Sequence, residues 1–548
     1  MANFKDKVIY QIYVKSFYDS NGDGLGDLRG IIEKLDYLQA LGVDYLWLTP
    51  FFRSPLNDNG YDVADYLSID PVFGSMGDVE TLIAETKERG MKLMFDMVFN
   101  HTSTGHEWFQ KALAGDPYYL NFYIFRDGTP DTPPTNWQSK FGGSAWEYVP
   151  RLGKWYLHLF DKTQADLNWD NPAVREAVAD VLRFWKAKGV EGFRFDVVNL
   201  ISKPAQLEDD DVWDGRRFYT DGPHVHEYLK EMVAAAGIGD MVTVGEMSST
   251  SLDNCIRYTT ENELSMVFSF HHLKVDYKNG DKWELQPVDY GALKRLFADW
   301  QLEMQQAGGW NALFLCNHDQ PRAVSRFGDD KYYWKQSAKM LAACIHMMRG
   351  TPYIFQGEEL GITNAGYTDI SQYRDVESLN YYRIMLESGK TKEEALETLR
   401  QRSRDNGRTP MQWDDRPNAG FTDGTPWIQL PENYRTINVE AELQDPDSIL
   451  HFYKALIRLR KGNPLISDGK IEFLYPDETR LLAYRRFLGN DSLWVFNNLS
   501  GKELSLPFVR WSDGCERLLG NYPEVSAPGG QLLLRPYETV ACRLTDWG

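Results

Sequence analysis

Four short segments of the chain each end an apolar run with an acidic residue. Apolar runs of this length are typical of parallel strands buried on both faces, where an acid is costly unless it has a task. Because the carboxyl ends of parallel barrel strands meet at one rim, the pattern predicts that Asp96, Asp196, Glu246 and Asp319 share one site. The segments are DMVFNH (96–101), GFRFD (192–196), VGE (244–246) and NHD (317–319).

Two of these acids match what glycoside cleavage requires. A retaining glycosidase uses a carboxylate nucleophile and a carboxylic acid proton donor about 5–5.5 Å apart. Asp196 and Glu246 end consecutive predicted strands, and Arg194, two residues before Asp196, points to the same side of its strand. A structural ion pair between Arg194 and Asp196 is the alternative, and the matching acids on neighbouring strands argue against it.

The elements that position these acids alternate along the chain between strand-like and helix-like stretches. This alternation predicts an α/β fold, a (β/α)₈ TIM barrel built from residues 1–100 and 170–468. Residues 101–169 lose the alternation and predict an irregular domain inserted after the third strand. Residues 469–548 lack helical patterns and predict a C-terminal antiparallel, sandwich-like β domain. The eight predicted strands are VIYQIYVKSF, YLWLTP, KLMFDMV, GFRFDVV, MVTVGEM, SMVFSF, WNALFLCNH and TPYIFQGEE.

Composition excludes several classes of partner. The 548 residues carry 59 Lys and Arg against 79 Asp and Glu, a net charge of −20 that disfavours nucleic acid and anionic membranes. No signal peptide and no membrane-spanning run is evident. Five widely spaced cysteines without a CxxC pair predict reduced thiols in a cytoplasmic protein. No motif calls for an organic cofactor, and a monomer is the expected state.

The loop from residue 19 to residue 27 presents side-chain oxygens at alternate positions, as hard cations require. It begins like an EF-hand loop, but its twelfth position is Gly30 and not Glu, which excludes an EF-hand. The alternatives are a metal-binding loop and an Asx-rich turn without metal. The oxygen-bearing residues are Asp19, Asn21, Asp23 and Asp27.

DMVFNH, GFRFDVVN, VGEM and CNHDQPR resemble the four main signature segments of the α-amylase superfamily, glycoside hydrolase family 13. QADLNW (164–169) and GTPYIFQGEE (350–359) resemble two further ones, so the likeness spans the whole chain. It implies Asp196 as nucleophile, Glu246 as acid/base and Asp319 as transition-state stabiliser. It implies a structural Ca²⁺ in the 19–27 loop, with the Leu25 carbonyl as a further ligand. The residues implied to hold the cleaved glucose, and so to enforce exo-action, are Tyr61, Asp62, His101, His318 and Arg408.

Within the superfamily, RDNGRTPMQW (404–413) and NHDQPRAVSRFG resemble the oligo-1,6-glucosidase group. GRRFYTDGPHVHEYL (215–229) and GEMSSTSLDNC (245–255) are most similar to its trehalose-6-phosphate hydrolases. The substrate expected from this resemblance is a phosphorylated disaccharide. An acidic chain needs a local basic cluster to receive a phosphate, and the predicted cluster is His271, His272, Lys274 and Lys282.

Three alternatives stay open at this point. Ala165 departs from the usual Pro of the oligo-1,6-glucosidases, yet such an enzyme, acting on neutral isomaltose-type ends, is the second interpretation. A sucrose isomerase is disfavoured because QPRAVSRF after Asp319 lacks the charged RLDRD-like loop of those enzymes. A non-catalytic relative, such as a transporter heavy chain, would have lost the carboxylates that this chain keeps.

Overall fold

Eight parallel strands form a barrel, as the alternation predicted, in a computed structural model that describes residues 3–508 and 515–545. Neighbouring strands pair in chain order from the first to the sixth, and the eighth lies between the first and the seventh. A parallel bridge between Val267 and Asn311 closes the barrel between the sixth and seventh strands. The strands are β1 (Ile9–Ile12), β2 (Tyr45–Leu48), β3 (Lys92–Val98), β4 (Gly192–Asp196), β5 (Val242–Met247), β6 (Met266–Ser269), β7 (Ala312–Leu313) and β8 (Thr351–Phe355).

The helices around the barrel begin and end where local chemistry favours it. Helix Pro172–Lys188 has Asn171 as its N-cap, proline in its first turn, and Gly189 at φ 107° as its C-cap. The principal outer helices are Leu28–Glu33, Leu35–Leu41, Met76–Glu88, Pro172–Lys188, Val225–Ala236, Leu252–Thr260, Tyr290–Ala307, Trp334–His346, Val376–Glu387, Lys392–Arg402 and Ile449–Lys461.

Strand register brings the predicted acids together. All five residues of β4 and all six of β5 are buried. Phe195 pairs with Gly245, so Asp196 and Glu246, one residue further along each strand, lie side by side at the carboxyl rim. Rigid strand ends therefore hold both carboxylates, which is the arrangement that precise chemistry needs.

The segment inserted after β3 contains a three-stranded antiparallel sheet, with strand Lys154–Leu157 between Phe125–Asp127 and Trp146–Val149. The two ends of this segment pair with each other next to the end of β3, because strand Gln164–Asp166 is antiparallel to His101–Ser103.

A buried ammonium group completes this joint. Lys203, which follows β4, lies with Nζ 2.7 Å from Asp166 Oδ2 of the inserted segment and donates to Asn100 Oδ1 at 2.9 Å. Asn100 Nδ2 also donates to Asp166 Oδ2 at 3.2 Å. All three side chains are buried, so one cation links β3, β4 and the inserted segment.

The C-terminal region contains two antiparallel sheets. The predicted strands form the five-stranded sheet, and the sequence missed a second sheet in which Leu504–Pro507 pairs with Gln531–Leu534. These two strands are only four residues each; Leu504–Pro507 alternates buried and exposed residues over too short a stretch to be recognised, and Gln531–Leu534 shows no polar–apolar alternation. Apolar side chains of both sheets meet in one core cluster. Among the described residues, no helix is both long and apolar enough to cross a membrane.

Candidate active site

The carboxyl rim of the barrel opens into a cleft of about 590 Å³ that Asp196, Glu246 and Asp319 all line. Asp196 is the last residue of β4, Glu246 lies one residue before the end of β5, and Asp319 follows β7. Val197, directly after Asp196, adopts φ 35°, a left-handed conformation that β-branched residues rarely take. The backbone is therefore constrained to turn sharply at the predicted nucleophile.

Arg194 is the buried cation that organises the floor of the cleft. Its Nη1 donates to Asp96 Oδ1 at 2.6 Å and to Asp196 Oδ1 at 2.7 Å, and its Nη2 lies against Glu246 Oε2. Burial alone would lower the pKa of Arg194, but Asp96 and Asp196 raise it overall, so the guanidinium stays charged. In the described part of the chain, Asp196 Oδ2 accepts no hydrogen bond, which leaves it available to a substrate.

Asp96, the acid of the first signature segment, was predicted to share the site but was given no role there, and it lies beneath Arg194. Its Oδ2 accepts from Tyr61 Oη at 2.9 Å and from Trp47 Nε1 at 3.1 Å. Burial raises the pKa of Asp96 to about 7, with Arg194 opposing that shift. Asp96 thus orients both Arg194 and the Tyr61 ring from below.

Asp319 is held by two arginines. Its Oδ1 accepts from Arg408 Nη2 at 2.7 Å and from Arg404 Nη1 at 3.3 Å. Burial opposes its ionisation, yet His318, Arg404 and Arg408 together hold the pKa of Asp319 well below its usual range. Since burial also lowers the pKa of His318 to about 3, that ring is neutral at pH 7 and the arginines provide the charge. Asp319 is therefore a carboxylate ready to accept hydrogen bonds from sugar hydroxyls.

The structure places Asp58, and not the predicted Asp62, in the cleft wall. Asp58 Oδ1 accepts from Arg404 Nη2 at 3.1 Å, and its Oδ2 accepts from Gln164 Nε2 at 3.1 Å. Asp62 is fully buried, and its oxygens accept from Ser54 Oγ and from the backbone amides of residues 57 and 58. Asp62 therefore shapes the loop that presents Asp58 and does not reach a substrate.

In the RDNGR segment too, a residue other than the predicted one lines the cleft. Arg404 lines the cleft, whereas the predicted Arg408 is fully buried behind it, with Nε donating to the His318 carbonyl at 3.0 Å. The two arginines lie at the start and the end of one helical turn, Asp405–Arg408. The sequence contained both but could not decide which one faces the substrate.

Tyr61 and His101 line the cleft, as the sequence predicted, whereas the predicted His318 does not line it. The His318 ring stacks on Tyr61, with ring centroids 5.0 Å apart and planes 7° apart. His101 Nε2 lies 3.1 Å from the Tyr61 carbonyl oxygen. His318 therefore packs against Tyr61 and does not itself line the cleft.

Four basic residues line the cleft besides Arg404: Lys140, Arg216, Lys274 and Lys282. Two of them are already paired, since Arg216 Nη2 lies 2.6 Å from Asp214 Oδ2 and Lys282 Nζ lies 2.7 Å from Glu377 Oε2.

Lys140 and Lys274 have no carboxylate partner in the described part of the chain. Burial lowers the pKa of Lys140 to about 8, and the nearby cation of Arg216 adds to that shift. The pKa of Lys274 is lowered by burial and by the same guanidinium. Cations that depress one another's protonation in a cleft favour an anionic ligand.

The two histidines of the predicted cluster do not reach this cleft wall. His272 Nε2 lies 2.8 Å from the Phe314 carbonyl oxygen, and His271 packs its ring on Trp300 at 4.6 Å. Burial lowers the pKa of both histidines to about 4, so neither is cationic at neutral pH. His271 and His272 are packing residues of the β6 end, and only the lysines of that cluster face the cleft.

Comparison with known proteins identifies the family. Residues 11–469 match the family description "Alpha amylase, catalytic domain". The chain belongs to the α-amylase family. It is 53% identical to a trehalose-6-phosphate hydrolase of Bacillus subtilis, covering 99% of this chain and 98% of the relative, and 52% identical to one of Escherichia coli, covering 98% of each.

Other relatives of the α-amylase family are nearly as similar. The oligo-1,6-glucosidase of Parageobacillus thermoglucosidasius is 48% identical over 98% of both chains. The crystal structure of Bacillus licheniformis trehalose-6-phosphate hydrolase superimposes with a TM-score of 0.95 at 52% identity and covers 100% of each chain. Because the superposition covers the full length of both chains, the similarity includes the barrel, the inserted segment and the C-terminal β region.

The predicted metal loop of this α-amylase family member is engaged by its own backbone. Asp19 accepts from the amides of residues 21, 22 and 24, Asn21 accepts from residue 23, and Asp23 accepts from Leu25 N at 2.9 Å. Asp27 caps helix Leu28–Glu33 through Gly30 N. Across residues 3–508 and 515–545, no three His, Cys, Asp or Glu side chains converge as a metal would require. In this arrangement the loop oxygens are turned to backbone amides and not to a common centre.

Proposed function

We propose that the protein is a retaining, exo-acting α-glucosidase that hydrolyses trehalose 6-phosphate to glucose and glucose 6-phosphate. The carboxylates at the ends of β4 and β5 support the glycosidase chemistry. The observation that carries the choice of substrate is the pair of cleft lysines, Lys140 and Lys274, which have no carboxylate partner among residues 3–508 and 515–545 of an otherwise acidic chain. A sugar phosphate supplies the missing negative charge, and the trehalose-6-phosphate hydrolases among the relatives agree with this choice.

The reaction proceeds in two displacements at C1 of the glucosyl ring. Asp196 attacks C1 while the glycosidic C–O bond breaks, and Glu246 gives its proton to the departing oxygen. Water then gives a proton to Glu246 and attacks C1, which releases Asp196 and restores both groups. Two inversions return the α configuration. Asp319 accepts hydrogen bonds from the ring hydroxyls as positive charge develops at C1.

The depth of the glucose pocket sets exo-action. Asp58 and Arg404 close the cleft beyond Tyr61 through their ion pair at 3.1 Å. Their polar groups suit the hydroxyls at the far end of a terminal glucose. A chain extending past that glucose would have to break the Asp58–Arg404 pair.

The direct test compares turnover of trehalose 6-phosphate, trehalose and isomaltose by the purified protein. We expect kcat/KM to be highest for trehalose 6-phosphate, and added salt to lower it more than for the neutral sugars. A preference for isomaltose would replace this proposal with oligo-1,6-glucosidase activity.

Replacing Lys274 with Ala should weaken use of trehalose 6-phosphate selectively. A charge-assisted contact contributes roughly 1.5–3 kcal/mol, so kcat/KM should fall about tenfold to a hundredfold. A neutral aryl α-glucoside should be cleaved almost as before. Steady-state kinetics on both substrates check the prediction.

Lys278→Ala is the matched control, because Lys278 is exposed in the same segment and does not line the cleft. It removes the same charge and should leave both substrates unaffected. Equal losses on both substrates for Lys274→Ala would mean that Lys274 supports the fold and that the phosphate binds elsewhere.

We also propose Ca²⁺ for the 19–27 loop, on its residue pattern alone, which requires the side chains to turn from backbone amides to the ion. If Ca²⁺ binds, a chelator should lower Tm by a few degrees, since a ligand at 100 times its Kd stabilises by about 2.7 kcal/mol. Asp23→Ala should lower Tm similarly while kcat stays nearly constant. A Tm unmoved by chelator, together with no calcium in elemental analysis, would leave the loop as a metal-free turn.

A further inference from the structure

The two segments that resemble trehalose-6-phosphate hydrolases, residues 215–229 and 245–255, meet at one side chain outside the cleft. Asp221, from the 215–229 segment, accepts hydrogen bonds from Thr250 Oγ1 at 2.8 Å and from Asn254 Nδ2 at 2.9 Å, both in the 245–255 segment. Tyr258 Oη and Asn199 Nδ2 donate to its other oxygen at 2.7 and 3.1 Å. One carboxylate thus gathers four donors from the loops that follow β4 and β5.

The backbone at Asp221 is adapted to this role. Asp221 has φ 50°, a conformation that Asp and Asn tolerate better than most residues. Its amide donates to the Asn199 carbonyl at 2.9 Å. A side chain on the following Gly222 would meet the Ser202 carbonyl oxygen at 1.9 Å. The turn is therefore packed directly against the loop that leaves β4.

Asn199 carries this connection to the cleft. Fully buried, it donates to the Ser248 carbonyl at 2.9 Å and accepts from the Ser248 amide at 2.9 Å. This reciprocal pair fixes the backbone two residues after Glu246. Ser248 Oγ in turn accepts from Lys140 Nζ at 3.2 Å. A chain of hydrogen bonds therefore runs from Asp221 through Asn199 and Ser248 to a cleft lysine.

We propose that Asp221 is a positioning residue that sets the leaving-group wall of the cleft, acting through Asn199 and Ser248 on Lys140. The wall comprises Lys140, Ser248 and Ser249, all of which line the cleft, whereas Asp221 does not. Ser249 also holds a left-handed φ of 56°, so its position depends on the neighbours that restrain the loop. This inference rests on the proposed function in one respect, the identity of the leaving sugar as glucose 6-phosphate.

The test separates substrates with a leaving sugar from α-glucosyl fluoride, which has none. Asp221→Ala should lower kcat/KM for trehalose 6-phosphate about tenfold, the scale of one lost hydrogen bond to a charged group, chiefly through KM. Turnover of α-glucosyl fluoride should change less than about twofold, because its glucose pocket is untouched. Asp221→Asn keeps an acceptor oxygen and the left-handed backbone, and should recover most of the activity.

Three controls make the result decisive. Asp253→Ala removes a carboxylate from an exposed position of helix Leu252–Thr260 and should have no effect. Thr250→Val removes one donor to Asp221 without touching the cleft, and should reproduce a smaller loss even if Asp221→Ala does not fold. In a Lys140→Met background, Asp221→Ala should add little, because both changes act on one wall.

Equal losses on the two substrates, or independent multiplication of the Lys140 and Asp221 effects, would overturn the proposal. Trehalose and isomaltose extend the test, since each has a leaving sugar without phosphate. If trehalose 6-phosphate is not a substrate, the difference between these sugars and α-glucosyl fluoride still decides the role of Asp221. The proposed function and this inference therefore fail by different measurements.

Discussion

We expect Asp196→Asn to abolish turnover while the barrel stays folded. The amide keeps the shape of the carboxylate at the end of β4, but it cannot form the glycosyl ester. Arg194 retains its 2.6 Å bond to Asp96, so the floor of the cleft remains organised. We expect kcat to fall by on the order of 10⁴-fold or more, as for other lost nucleophiles, with little change in Tm. Kinetics on trehalose 6-phosphate and a thermal melt measure the two effects.

Asp240→Asn is a suitable control, because it makes the same chemical change on a largely exposed side chain and should leave kcat intact. For the unmodified enzyme, NMR of the first-formed product should show α-glucose. First-formed β-glucose would indicate a single displacement by water, and Asp196 would then be a general base.

Glu246→Gln has the second largest expected effect, and its size should depend on the leaving group. General acid catalysis contributes typically 10²–10⁴-fold, so kcat/KM for a disaccharide should fall within that range. α-Glucosyl fluoride should lose much less in the first displacement, since fluoride departs without needing a proton from Glu246. Pre-steady-state measurements with both substrates separate the two displacements.

The contrast between the two leaving groups is what identifies the acid. If Glu246→Gln slows release of fluoride as much as release of a sugar, Glu246 supports the geometry of the site and another group delivers the proton. Added azide, a nucleophile that needs no base, should speed the second step of the variant. Failure of azide to do so would argue against the base role in that step.

The sequence predicted the barrel and its catalytic rim because both depend on local patterns. A buried parallel strand is an apolar run, and an acid at its end is visible without knowing the neighbours. Asp196 and Glu246 needed only the strand order to be placed side by side. The short C-terminal strands at 504–507 and 531–534 carried no such pattern and were missed.

Loop residues were harder to assign, since the direction of a side chain there depends on tertiary packing. Asp58 and Asp62 lie in one turn-rich segment, and only the ion pair with Arg404 shows which of them faces the cleft. His272 was predicted to bind phosphate, but its ring faces the Phe314 carbonyl at 2.8 Å. The direction of a side chain can be read from its position along a strand, where successive side chains alternate between the two faces, but not from its position along a loop.

The ammonium of Lys203 at the joint between the inserted segment and the barrel has a consequence for how this protein is assembled. A cation that belongs to the chain has no dissociation constant and no exchange with the medium. Asp166 therefore receives its counter-charge, and Asn100 a hydrogen-bond donor, from the loop that follows β4. The counter-charge at the joint that holds the inserted segment is thus part of the chain itself and does not depend on the supply of ions.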